Sequence, residues 1–321
     1  MMSTAIVVHG DADGICSATI ALNKYPGSEI WFTHPIGLLG DIKKIHADRV
    51  IICDLAISER DKSDLFSEFR RISSDSELIY IDHHPLPLDT LAGDIPATSI
   101  VRDLTKSASE LTFSFLGKSE MVLIALFGAL ADYYTDTTDF VRETLQVYDK
   151  RTIYLEAGIL SQAIRMHGKR DYDFKRSLIR LLSNGVMPST RPEIVRKAIA
   201  GTRKEWETME IVKKEIRTID GLAIFENVPK GISPTKVAKF ALGVSGKSIA
   251  LSTRIRKRQY VDISARKLDS FSLDLNLTFR TIAPRFGGSG GGHPTAAGAR
   301  IPKKHLTEFL NAVTKEVEAI P

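Results

Sequence analysis

The stretch Leu78-Ile79-Tyr80-Ile81-Asp82-His83-His84 is an apolar run of strand length that ends abruptly in one acid and two histidines. The same arrangement recurs upstream. Ala5-Ile6-Val7-Val8 runs into His9-Gly10-Asp11-Ala12-Asp13-Gly14, and Val50-Ile51-Ile52-Cys53 runs into Asp54. A further β-like run covers 29–33, and segments of helical length and pattern, 15–24 and 59–72, lie between the runs. Short apolar strands alternating with helices predict an α/β domain, a doubly wound parallel sheet covered on both faces. The carboxyl ends of its strands would share one edge, so polar groups far apart in sequence would converge there.

The chain of 321 residues is long enough for two domains, each burying its own core. A hydrophobic fraction of 43% and a charged fraction of 26% are those of a globular protein. The only cysteines, Cys16 and Cys53, sit in apolar surroundings, which excludes a disulfide framework and predicts buried, reduced thiols in a cytoplasmic protein. The longest apolar stretch, 121–131, falls short of the roughly 20 residues that span a bilayer, so no membrane partner is expected.

From residue 107 the pattern turns helical, over 107–116, 120–134, 142–161 and 174–183. Residues 192–217 read as one long polar helix or a helix pair. Strand patterns then return at 222–226, 248–255 and 260–265, with Arg256-Lys257-Arg258-Gln259 as a hairpin turn, and helices are expected at 235–242, 270–286 and 303–318. The expected organisation is an N-terminal domain over 1–190, a helical connector over 191–218 and a smaller α/β domain over 219–321. Charge divides along the same line: 219–321 carries a net +8 and the remainder −3. A basic domain beside an acidic one suits a polyanionic ligand.

His9, Asp11 and Asp13 are spaced i, i+2, i+4, so on an extended chain all three would face one side. The alternative is a solvated turn whose aspartate caps the next helix. Asp54 alone would also read as a cap, but beside Asp82-His83-His84 at an equivalent strand end it reads as part of a binuclear metal site. A mixed imidazole and carboxylate set without cysteine suits Mn²⁺, with Mg²⁺ as the alternative. Asp132 ends the most apolar helical segment, where a buried carboxylate needs a cation; Asp136 and Asp139 are its rivals.

The glycine cluster 287–292 leads into His293-Pro294-Thr295-Ala296-Ala297-Gly298. Backbone N–H groups in such a run can face a phosphate, Pro294 can start a helix whose N-terminus favours an anion, and His293 would add a donor. Ser245-Gly246-Lys247-Ser248 imitates a nucleotide-binding loop but lacks its first glycine, since Ala241 stands there.

Taken together, His9-x-Asp11-x-Asp13-Gly14, Asp54, Asp82-His83-His84, Asp132 and Gly290-Gly291-Gly292-His293-Pro294 resemble the DHH phosphoesterase superfamily, in the branch with a DHH-associated C-terminal domain. The resemblance covers nearly the whole chain. It implies two divalent metal ions, one held by His9, Asp11 and Asp54, the other by Asp13, Asp54, His83 and Asp132. His84 would face the scissile phosphate, Asp82 would orient its neighbours, and Arg266, Ser264, Gly290, Gly291, Gly292 and His293 would grip the substrate. The implied activity is a RecJ-like exonuclease on single-stranded DNA or RNA. The alternatives are a nanoRNase or nucleoside bisphosphate phosphatase acting on very short oligonucleotides and, third, a non-catalytic replication scaffold. A helicase or replisome partner is compatible with each.

Overall fold

In the computed structural model the described residues are 2–134, 138–166, 171–219, 221–257 and 259–320. The chain forms two compact units, Met1–Thr202 and Arg203–Pro321.

The first unit is built on a parallel sheet of β1 (Thr4–His9), β2 (Glu29–Thr33), β3 (Arg49–Cys53), β4 (Glu77–Asp82) and β5 (Ser99–Arg102), in the order β2-β1-β3-β4-β5. Its inner strands are nearly continuous in apolar residues because both faces are covered. Ile6, Val8, Ile51, Cys53, Ile79 and Ile81 point to one face, under α1 (Ala12–Lys24) and a helical layer. Val7, Val50, Ile52, Leu78 and Tyr80 point to the other, under α2 (Leu38–Ile42) and α3 (Lys62–Asp75). The strand order reverses between β1 and β3, and a crevice at the carboxyl edge of such a switch point is where open α/β sheets bind ligands.

The helical layer comprises α4 (Ala108–Leu116), α5 (Val122–Ala131), α6 (Asp139–Val147), α7 (Lys150–Met166) and α8 (Tyr172–Ser183). A single helix over 142–161 was the expectation, and the structure divides it. Tyr148 is extended, and Asp149 starts a new helix by accepting from the Arg151 N–H at 2.9 Å. Likewise α5 stops ten residues after it starts, where Asp132 caps it and Tyr133 turns left-handed at φ 68°.

α9 (Pro192–Glu215) runs through the division between the units. The second unit holds β6 (Arg217–Ile219), β7 (Leu222–Phe225), α10 (Pro234–Ser245), β8 (Ile249–Arg256), β9 (Tyr260–Lys267), α11 (Leu275–Arg285), β10 (Ser289–His293), β11 (Ala296–Pro302) and α12 (Leu306–Glu318). Its mixed sheet has the order β10-β11-β9-β8-β7-β6. Side chains of Leu251, Val261, Ile263, Ala299 and Ile301 bury one face with α11 and α12. On the other face Ala223, Phe225 and Ala250 pack with α10 and with Val212 of α9.

Two local expectations need correction. Pro294 starts no helix: with Thr295 it makes the turn of the β10–β11 hairpin, in which His293 pairs with Ala296. The glycines are needed for packing, since a methyl group at Gly290 would stand 2.8 Å from the Phe279 carbonyl oxygen of α11. The Gly292 N–H, expected to face a phosphate, donates to Asn276 at 3.0 Å. Gly246, at φ 65°, is the left-handed cap ending α10, which accounts for the imitation nucleotide loop. Among the described residues, no helix is long and apolar enough to cross a membrane.

Candidate metal centre at the strand ends

β1 ends at His9, and the chain does not stay extended beyond it. Asp11 caps α1, accepting from the Gly14 N–H at 3.1 Å through Oδ1, while Oδ2 lies 2.7 Å from His9 Nδ1. The capping alternative is therefore realised, and the second oxygen of the same carboxylate still turns towards His9. Asp13 consequently sits in the first turn of α1, buried. Its two oxygens accept from the backbone N–H groups of Ala108 and Ser109, at 2.8 and 2.9 Å, at the start of α4. A helix N-terminus thus orients the carboxylate.

Asp54 follows β3 in the left-handed region at φ 57°, a conformation uncommon outside glycine but one that aspartate tolerates, and its carboxylate lies between His9 and His83. His83 Nε2 lies 3.4 Å from Asp54 Oδ1, 3.7 Å from Asp132 Oδ2 and 3.9 Å from Asp13 Oδ2. The Tyr134 hydroxyl is 3.2 Å from His83 Nδ1. On the other side His9 Nδ1 is 3.8 Å from Asp54 Oδ2. Donor atoms of His9, Asp11 and Asp54 lie within 4.8 Å of one another, as do those of Asp13, His83 and Asp132. Asp54 stands between the two sets.

These groups fit divalent cations. Asp54 is 4% exposed, and its buried Oδ2 accepts no hydrogen bond from the described residues. Burial, reinforced by the charges of Asp11 and Asp13, pushes its carboxyl well above the usual carboxylate range. Burial also raises Asp13, with His83 opposing in part. Several carboxylates held this close destabilise one another unless cations are received among them. His83 is kept towards its neutral, ligand-competent form by burial and by the neighbouring His84.

The second histidine has a different setting. His84 Nδ1 is 2.8 Å from Asp82 Oδ1, and Asp82 Oδ2 accepts from Arg102 at 2.9 Å. Burial disfavours the Asp82 anion, but His84 and Arg102 outweigh it and hold the carboxyl below its ordinary range. Arg102 also donates to the His84 carbonyl oxygen.

Arg102 escaped the sequence reading because β5 is a four-residue edge strand, half-buried throughout, with little apolar contrast. Lys175 was legible but overlooked: it shares the buried face of α8 with Leu178, Ile179 and Leu182, a lysine on an apolar stripe. It is 3% exposed, and its Nζ lies 5.8 and 5.6 Å from the ring centroids of Phe32 and Tyr172. A methyl group at Gly10 would stand 2.6 Å from that nitrogen, so a buried cation lies against the loop carrying His9 and Asp11. Of the rivals to Asp132, Asp139 is exposed on α6 and paired with Arg142, and Asp136 lies outside the described residues. Cys16 and Cys53 are buried free thiols; burial lifts Cys53 to about 12.

In the second unit, Ser264 and Arg266 lie on β9 and Gly290, Gly291, Gly292 and His293 on β10. Register puts Arg266 and His293 in one cross-strand row, both opposite Ala296, and Ser264 and Gly291 in the next, both opposite Gly298.

Residues 3–133 match the family described as DHH family, N-terminal domain, and residues 222–319 match the DHHA1 domain. No curated protein matches by sequence. Among solved structures, the DHH domain of a member of a family of ribosomal proteins is similar at 14% identity and a TM-score of 0.73, covering 99% of this chain and 87% of that one. RecJ in complex with Mn²⁺ from Thermus thermophilus is similar at 15% identity and a TM-score of 0.65, covering 100% of this chain and 52% of that one. The pGpG-specific phosphodiesterase PggH from Vibrio cholerae is similar at 14% identity and a TM-score of 0.58, covering 99% and 100%. At these identities the likeness is one of fold.

Proposed function

The chain belongs to the DHH family, with a C-terminal DHHA1 domain, and on that premise we propose that it is a metal-dependent phosphodiesterase, a RecJ-like exonuclease that hydrolyses single-stranded DNA or RNA to mononucleotides. One observation carries the reading: a buried carboxylate, Asp54, with an oxygen that accepts no hydrogen bond from the described residues, stands between two sets of carboxylates and imidazoles at the sheet's switch point.

His9, Asp11 and Asp54 would hold one divalent cation and Asp13, Asp54, His83 and Asp132 a second, Mn²⁺ by preference and Mg²⁺ as the alternative. When bound, the cations supply activation of the attacking water and neutralise charge on the phosphoryl oxygens. The chain's own residues provide the orientation. Asp13 is fixed by the start of α4, and His83 by Tyr134. Asp82 stays ionised and holds His84 by Nδ1, so that Nε2 would be left for a phosphate oxygen. Arg266, Ser264, His293 and the strand of glycines would hold the substrate's phosphates from the second unit.

Arg102 acts through Asp82 and the His84 backbone. Arg102→Ala is expected to lower kcat by about 10–100-fold with Mn²⁺ affinity nearly unchanged. Parallel turnover and calorimetric titrations check this; a loss of Mn²⁺ binding instead would make Arg102 part of the metal site.

The second reading is cleavage of very short oligonucleotides, favoured by the match to PggH over nearly the full length of both chains. Digestion of end-labelled single-stranded DNA and RNA, from dimers to about thirty nucleotides, separates the two. Progressive shortening of long strands supports the exonuclease. Cleavage confined to the shortest substrates moves the protein to the nanoRNase class, and no cleavage at any length leaves the scaffold.

A further inference from the structure

Side chains alternate along β9 such that Val261, Ile263 and Ala265 enter the core with α11 and α12, while Tyr260, Asp262, Ser264 and Arg266 lie on the opposite face. Pairing extends that face across β11: Arg266 stands opposite Ala296, Ser264 opposite Gly298, Asp262 opposite Arg300 and Tyr260 opposite Pro302. The face therefore has Arg266 at one end, a floor of small residues in the middle, and a basic, aromatic end. There Asp262 draws the Arg256 and Arg300 guanidiniums across the sheet, accepting at 2.7 and 2.6 Å, and both side chains remain about half exposed. Beyond them Tyr260, 44% exposed, lines an open depression of about 490 Å³ with Gln259, Pro302, Lys303 and Lys304. The Lys303 N–H donates to the Gln259 carbonyl at 2.7 Å, tying the wall of the depression to the hairpin turn.

We infer that this depression is a second nucleic-acid contact, which holds the part of a single strand that runs on along this face from the Arg266 end. The inference rests on the phosphodiesterase reading and names its substrate class: strands of several nucleotides rather than dinucleotides. Its occupant follows from chemistry. Arg256 and Arg300 flank the one carboxylate, Asp262, Lys303 and Lys304 line the depression with the exposed phenol ring of Tyr260, and Lys257 follows Arg256 in the chain. Positive charge along a groove with an aromatic platform is the pattern that binds single strands without reading sequence. Spacing agrees with it. From Arg266 to Tyr260 is about 20 Å at a rise of roughly 3.4 Å per residue, room for several nucleotides over a floor where Gly298 and Ala296 present no obstacle.

The test compares the wild type with K303S/K304S and Y260A on labelled single strands from about two to about twelve nucleotides. Wild-type kcat/KM is expected to rise with length up to about four nucleotides or more. Both variants are expected to lose about tenfold on the longest strands and less than about twofold on the dinucleotide. In the double variant the salt dependence on long strands should fall by about 1.4 in log–log slope, roughly 0.7 for each phosphate contact removed. K315S, on α12 at the opposite layer, serves as the surface-charge control and should match the wild type. An active wild type whose length dependence the variants leave unchanged, or equal losses at every length, overturns the inference alone. A wild type that cuts no length overturns the parent reading and the inference with it.

Discussion

Asp54→Asn is expected to abolish hydrolysis, by at least about 10³-fold, and at the same time to make the metal-free protein more stable. The two effects have one cause. Asp54 is buried among Asp11, Asp13 and Asp132, and its raised carboxyl means that the folded chain binds a proton more tightly there than the unfolded chain does. As pH rises past the unfolded carboxylate's range towards the folded value, that group's contribution to stability is lost. At neutral pH, above the unfolded carboxylate's range, Asp54 is thus a cost to the metal-free fold, which bound cations would offset. The amide retains the shape and removes the charge. The metal-free variant should gain about 1–2 kcal/mol, or roughly 2–6 °C in melting temperature, and its stability should fall less steeply with rising pH. Addition of Mn²⁺ should stabilise the wild type and leave the variant nearly unmoved. Melting curves of both proteins with chelator and with Mn²⁺ check all of this; a metal-free variant less stable than the wild type would mean that Asp54 is a structural hydrogen-bonding group.

Gly14→Ala is expected to be the most damaging single methyl group in the first unit. Its added carbon would overlap the His9 carbonyl oxygen and lie 3.1 Å from Asp54 Oδ2. The obstacle is backbone, so relief requires α1 to move away from β1, taking Asp11 and Asp13 with it. A loss of about 2–3 kcal/mol of stability and of about 10–100-fold in Mn²⁺ affinity should follow. Gly158→Ala provides the contrast, since it lies exposed within α7 with nothing near its added carbon; it should stabilise by roughly 0.5–1 kcal/mol through helix propensity. Denaturant melts and Mn²⁺ titration of both variants give the comparison, and a Gly14→Ala protein with full metal affinity would show that the loop is not held by this contact.

The parallel sheet was legible because its inner strands are buried on both faces, leaving continuous apolar runs such as Val50-Ile51-Ile52-Cys53 that end in polar residues. The convergence of His9, Asp54 and His83 follows from that, since strand ends in a parallel sheet share an edge. What sequence spacing misjudged was the path between them. An extended chain would present His9, Asp11 and Asp13 side by side, but Asp11 caps α1 immediately, and Asp13 reaches the site from the helix's first turn. Capping is local chemistry and was visible; that a capping acid can also face the crevice was not. The glycine run was legible as composition but not as conformation. It forms a strand rather than a loop, and at Gly290 and Gly292 an added methyl group would meet α11 and β11, a tertiary demand that leaves no local mark. Arg102 and Lys175 complete the surroundings of the site, and only Lys175, on its apolar stripe, announces itself.

If the proposed function holds, the cluster around Asp54 cuts phosphodiester bonds only with divalent metal in place. The decisive experiment is Mn²⁺ titration of metal-stripped protein during digestion of end-labelled single-stranded DNA and RNA, with Asp54→Asn alongside. The expected result is no cleavage with chelator, activity that rises as Mn²⁺ is bound, release of mononucleotides from one end, and nothing above background from the variant. Cleavage that persists in chelator, or that Asp54→Asn retains in full, would contradict it.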